Sequence, residues 1–170
     1  MSIVRHGLAL ALVVGLGAAG GANAAPAAGD EVSFRINSWG KLLEAWTIRP
    51  DGSGEYQATK QGPTKDFYDV VLVTKRLAPA PGRYAQLQAA LKPAERYDGK
   101  GPPCQKQIYD LPYGQISWVR SGATHGFSFD LGCGSADANV AYKALENASA
   151  VVTAWAKDAP VAEEKPLNPK

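Results

Sequence analysis

The sequence is poor in the residues that most often carry metal and redox chemistry. It holds two cysteines, two histidines and one methionine in 170 residues. His6 lies in the leader-like start of the chain, which leaves two thiols and His125. Structural zinc takes four nitrogen or sulfur ligands, so this supply falls short, and neither a metal nor a cofactor is expected. Charge of one sign is also lacking, with 18 Lys+Arg against 16 Asp+Glu. Proteins that gather on nucleic acid or anionic membranes do so through a strong basic field, so no nucleic-acid partner is expected. Long apolar runs are confined to the first 25 residues. Even there Leu8 to Leu16 is too short for a bilayer, which needs about 20 apolar residues, and no membrane span is expected.

The N-terminal end has the order of a secretory leader. Arg5 and His6 precede the apolar run, and Ala22-Asn23-Ala24 is a small-x-small cleavage site. This pattern assigns residues 1–25 to a signal peptide and implies an exported bacterial protein, periplasmic or secreted. Its removal takes Arg5 and no acid, leaving 17 basic residues against 16 acidic ones. The remaining chain of about 145 residues is the length of one domain.

Export changes how the cysteines read. Two and only two cysteines in an oxidising space, Cys104 and Cys133, predict one disulfide. Closing a loop of roughly 30 residues stabilises by about 3.5 kcal/mol in the chain-entropy description.

Residue periodicity predicts an α+β domain over 26–157. Val32 to Ile36 alternates as a half-buried strand. Residues 43–58 read as a hairpin around Arg49-Pro50-Asp51-Gly52-Ser53-Gly54, where proline and glycine supply the turn dihedrals. Phe67 to Leu77 contains the β-branched run of a central strand. Tyr84, Leu87, Gln88 and Leu91 fall at helical spacing, and Pro93 stops that helix. Residues 116–120 and 125–131 form a second hairpin, with Phe127, Phe129 and Leu131 on one face and Cys133 at the same parity. The helix from Ala138 to Trp155 repeats apolar residues every three or four positions, with Ser135 or Asp137 as its cap. The fold class expected is therefore a mostly antiparallel sheet of about five or six strands, two helices packed on one face and one disulfide. Residues 158–170, charged and proline-rich, read as a flexible tail.

The candidate chemistry is sparse. Ser121, His125, Ser128 and Asp130 lie close in sequence, but strand parity puts His125 on the face opposite Ser128 and Asp130. A histidine cannot activate a serine through a sheet. Ser121 lies within reach of His125, but no carboxylate is visible to orient the ring. The acid pairs Asp66/Asp69, Asp51/Glu55 and Glu163/Glu164 sit near turns or tails rather than in a shared cleft. Asp51 to Glu55 lacks the spaced acids of a calcium loop and the lysine of a phosphate loop. Asn147-Ala148-Ser149 matches the glycosylation triplet but falls inside the last helix.

The segment from Ala94 to Gln115 shows no period and carries Tyr97, Tyr109 and Tyr113 among glycines and prolines. An irregular stretch of this length is usually functional or disordered, and Cys104 pins this one. Tyrosine gives large amphipathic contact area at low rotamer cost, so these three residues form a candidate recognition loop. The alternative is a structural lid over a sheet edge. The expected function is that of a non-catalytic binding module, an inhibitor or an accessory subunit meeting another envelope or extracellular protein. The competing expectation is an envelope hydrolase with an unplaced active site.

Overall fold

Nine segments pair antiparallel, and in the long strands of the sheet interior alternating apolar residues drive the pairing. The computed structural model describes residues 29–64 and 69–167. The leader at 1–25, Asp66 and Phe67 lie outside the described residues. Seven strands form one sheet: β1 (Glu31–Ser38), β2 (Lys41–Ile48), β3 (Gly54–Gln61), β4 (Val70–Leu77), β6 (Tyr113–Arg120), β7 (Ala123–Asp130) and β9 (Val161–Pro166). Their order is β7-β6-β1-β2-β3-β4-β9, with every pair antiparallel. Two short strands, β5 (Lys106–Gln107) and β8 (Cys133–Gly134), pair separately. The helices are α1 (Arg83–Leu91) and α2 (Ala136–Ala156).

Both helices cover the same face of the sheet. That face presents Val32, Phe34, Trp46, Ile48, Leu77, Ile116, Trp118, Phe127 and Phe129, all buried. α1 adds Tyr84, Leu87 and Leu91. α2 adds Ala138, Ala141, Ala144, Leu145, Ala148, Val152 and Ala156. Five of these are small alanines, which lets α2 lie close to the sheet while Leu145 and Val152 fill the gaps. The Ser135 hydroxyl caps α2 by accepting from the Ala138 amide at 2.9 Å, satisfying one of the orphan donors of the first turn. The other sheet face carries Ser33, Arg35, Thr47, Gln57, Gln115 and Ser128 and has no helix on it, the usual arrangement for an antiparallel sheet wet on one side.

The sheet is larger than the sequence implied. The extra strand, β9, comes from the segment expected to fray. Its six residues are exposed, so burial periodicity gives no sign of it. It is held instead by backbone pairing with β4, and its Glu164 meets Lys60 at 2.6 Å. A proline is tolerated at such an edge because the missing N–H need not join a ladder. The opposite edge, β7, is covered: Gly99 donates to the Gly126 carbonyl at 2.8 Å, so residues 98–101 run along it.

Two further expectations are corrected. Residues 94–115 are not structureless: they hold a 3₁₀ turn at Glu95–Tyr97, then β5, then the start of β6. Leu131 does not share the core with Phe127 and Phe129. The strand ends at Asp130, and Leu131 is 36% exposed in the turn that follows.

Candidate functional site

The disulfide organises one end of the sheet. Cys104 and Cys133 are bonded, with Cα atoms 5.2 Å apart. On either side of the bridge the two segments are zipped by backbone. Gln105 donates to the Gly134 carbonyl at 3.3 Å and Ile108 to the Gly132 carbonyl at 2.8 Å. The Ser135 hydroxyl, while capping α2, donates to the Pro103 carbonyl at 2.7 Å. Asp130 closes the turn, accepting from the Gly132 amide at 2.8 Å and from the Gln107 amide group at 3.1 Å. Glycine is required at position 132: a Cβ there would sit 1.8 Å from the Ile108 carbonyl oxygen. Leu131 then donates to the Pro112 carbonyl at 2.9 Å, so residues 108–113 leave this frame next to the β6 entrance.

The β1–β2 turn meets that segment. Asn37 pairs with Tyr113 across β1 and β6, and the chain reverses two residues later through Trp39 and Gly40. Both turn residues have positive φ, 51° and 73°, as a two-residue hairpin turn needs. Gly40 adopts this freely, but Trp39 does not. A left-handed conformation costs an L-residue about 1–2 kcal/mol, and asparagine would be the favoured occupant. The chain instead places its bulkiest side chain there, 73% exposed. At the same end of the sheet, the segment leading into Tyr113 adds Ile108, Tyr109 and Leu111, and Leu131 follows β7; these and Tyr113 are all exposed. Tyr109 is the most exposed, at 79%, and Asp110 after it also has a positive φ, 66°.

The three tyrosines singled out by sequence part company. Tyr109 and Tyr113 belong to this exposed end, the latter 44% exposed on the open face of the sheet. Tyr97 does not reach it. It is buried on the 3₁₀ turn, its ring edge-on to Phe127 at 6.3 Å and its hydroxyl donating to Asp137 at 2.7 Å. Burial, and then the Asp137 carboxylate, push its phenol above the ordinary range. Trp46, by contrast with Trp39, is buried and stacked on Phe34 at 5.2 Å. Trp39, Ile108, Leu111 and Leu131 were not assigned to the site by sequence. The one available signal was Trp39-Gly40, a large aromatic in the slot of a two-residue turn.

His125 acquires a partner that sequence reasoning did not find. Its Nδ1 lies 2.7 Å from the Asp98 carboxylate, whose other oxygen accepts from the Gly126 amide at 2.6 Å. The Gly126 amide and then His125 hold the Asp98 carboxyl below its usual range. Asp98 comes from 27 residues earlier, in the segment laid along the β7 edge, so local parity could not reveal it. Among the described residues no hydroxyl or thiol is hydrogen-bonded to His125. The pair fastens residues 98–101 to the edge strand, and the Ser121 amide is held elsewhere, donating to Asp30 at 2.8 Å.

The remaining candidates are structural. Asp51 closes its turn by accepting from the Ser53 amide at 2.8 Å. No group of three metal-ligating side chains occurs among the described residues, and no described helix is long and apolar enough to cross a membrane. No protein-family model, curated protein or solved structure matches this chain.

Proposed function

We propose that the protein is a non-catalytic binding module of the cell envelope or its exterior, and that it meets a protein partner through the end formed by Trp39, Tyr109 and their neighbours. The observation that carries this reading is Trp39 itself, exposed at a turn position whose backbone disfavours it. Backbone strain retained at a surface position is a pointer to function. Aromatic anchors dominate interface energetics, and contiguous exposed apolar patches on a monomer mark interaction sites. The disulfide and the backbone zipper support the same reading, because an ordered surface loses less entropy on binding than a flexible one. The leader pattern and the disulfide both fit an oxidising compartment, periplasmic or extracellular.

The test is affinity capture from envelope extract with the wild-type protein, Trp39→Ala, Tyr109→Ala and a Val140→Ala control. Val140 is exposed on α2, outside the patch. A species retained by wild type and Val140→Ala but lost from both patch variants supports the reading. Equal retention by all four refutes it. The Asp98–His125 pair favours a second reading, an envelope hydrolase in which Asp98 orients the imidazole as a general base. Hydrolysis abolished by His125→Ala at unchanged melting temperature would establish that alternative.

A further inference from the structure

On the helix side of the sheet, apart from the aromatic end, β3, β4 and the C-terminal half of α2 enclose an open cleft of about 640 Å³. The volume is in the range of small-molecule sites, which combine apolar walls with a few converging polar groups. Tyr56, Ala150, Ala154 and Ala156 supply the apolar wall. The charged residues of the lining are Lys75, Glu146 and Lys157. Glu146 is already neutralised, its carboxylate accepting from the Lys143 ammonium at 2.7 Å. It also stands at the far end, eleven residues before Lys157 along α2, which is about 16 Å at the helical rise. The positive charge gathers at the other end.

Lys75 reaches from β4 to the end of α2, donating to the carbonyls of Ala156 at 2.8 Å and Lys157 at 3.0 Å. That uses two of the three protons of an ammonium group. Among the described residues no carboxylate forms an ion pair with Lys75 or Lys157. The last carbonyls of α2 bring about half a negative charge against these two positive ones, so a positive surplus remains beside the apolar wall. Glu44 does not cancel it. It is not part of the lining, and the Ser149 hydroxyl that donates to its carboxylate at 2.5 Å lies two turns, about 10 Å, before Ala156 along the helix. We propose that the cleft binds a small organic carboxylate, its charge against Lys75 and Lys157 and its carbon body against Tyr56 and Ala154. A phosphate fits less well. Phosphate sites gather backbone N–H groups at a helix N-terminus or arginine forks, and this end of α2 presents carbonyls to the cleft.

The experiment is an amide NMR titration of the full protein with sodium butyrate at neutral pH, with sodium chloride, n-butanol, n-butylammonium chloride and sodium phosphate as controls. Saturable shifts centred on Tyr56, Lys75, Ala154 and Lys157 are expected with butyrate alone. Lys157→Gln removes one charge at an exposed position and should weaken binding at least about threefold, the effect of losing one solvent-exposed ionic contact. Ala154→Glu, also at an exposed position, keeps both lysines and places a competing carboxylate on the wall, and should abolish binding. Weakening by either variant, with the four controls silent, supports the proposal. It is overturned if butyrate gives no saturable shift, if butanol, butylammonium or phosphate binds as well as butyrate, or if both variants bind as wild type does.

Discussion

Removing the disulfide should cost the domain several kilocalories without destroying its architecture. Cys104 and Cys133 are 29 residues apart, and cross-linking a loop of that size withdraws about 3.5 kcal/mol of entropy from the unfolded chain. Unfolding entropy is about 2.1 cal/mol/K per residue, so about 135 described residues give about 0.28 kcal/mol/K. The melting temperature of Cys104→Ser/Cys133→Ala should then fall by about 12 °C. The native state should survive, because the bonds from Gln105, Ile108 and the Ser135 hydroxyl do not depend on sulfur. Calorimetry measures the shift, and hydrogen exchange locates it: the Gln105 and Ile108 amides should exchange faster, and those of β1 and β2 should move only with the global change. A shift under about 3 °C would refute the reasoning, since the frame would then be holding itself without the covalent bond.

Four shorter tests follow from the same geometry. Leu145→Asp puts a charge on the buried stripe of α2 and should abolish cooperative melting, because an unpaired buried charge exceeds the stability of a typical domain margin; circular dichroism decides it. Gly132→Ala drives a methyl group into the Ile108 carbonyl and should loosen the zipper, read as a lower melting temperature and faster exchange at Ile108, while Gly134→Ala, with 3.6 Å to its nearest neighbour, should be milder on both counts. The Asp98 carboxyl is held low in the folded state, so its contribution is present above the unfolded value of 3.8 and lost as pH falls through the folded one; Asp98→Asn should flatten that acid limb of the melting profile and expose the Gly126 amide to exchange. Glu44 has the opposite sign. Burial raises its pKa above 4.5, so its contribution is present at acid pH and lost as pH rises through the folded value, and Glu44→Gln should melt higher than wild type at neutral pH, with the gap closing on acidification.

Where residues bury a face, the sequence was legible. α2 declares itself through its three-and-four spacing, and its cap by Ser135 follows from the residue type. The two hairpins follow from alternation and turn chemistry, and the disulfide from the cysteine count read beside the leader pattern. What stayed hidden depends on partners distant in the chain. β9 buries nothing and is held by backbone bonds, which no side-chain pattern reports. Asp98 reaches His125 only because a loop runs along a sheet edge. Tyr97 looked like Tyr109 in a run without period, yet a single 3₁₀ turn drives it into the core. The exposed end was half legible: Tyr109 and Tyr113 were picked by residue type, but the meeting of the β1–β2 turn with residues 108–113 depends on the pairing of β1 with β6.

That pairing has a consequence for when the aromatic end exists. Asn37 and Tyr113 are neighbours in space and 76 positions apart in the chain. Trp39 belongs to the meander β1–β4, and Tyr109 and Leu131 to the cross-linked unit that follows α1, each built from contacts close in sequence. Only the long-range junction between β1 and β6 brings the two sets side by side, and such junctions form late because loop closure must precede the contacts that reward it. On the proposed function, a partner that grips both sets would therefore ignore half-assembled chains and engage finished molecules alone, and recognition would serve as a check on maturation.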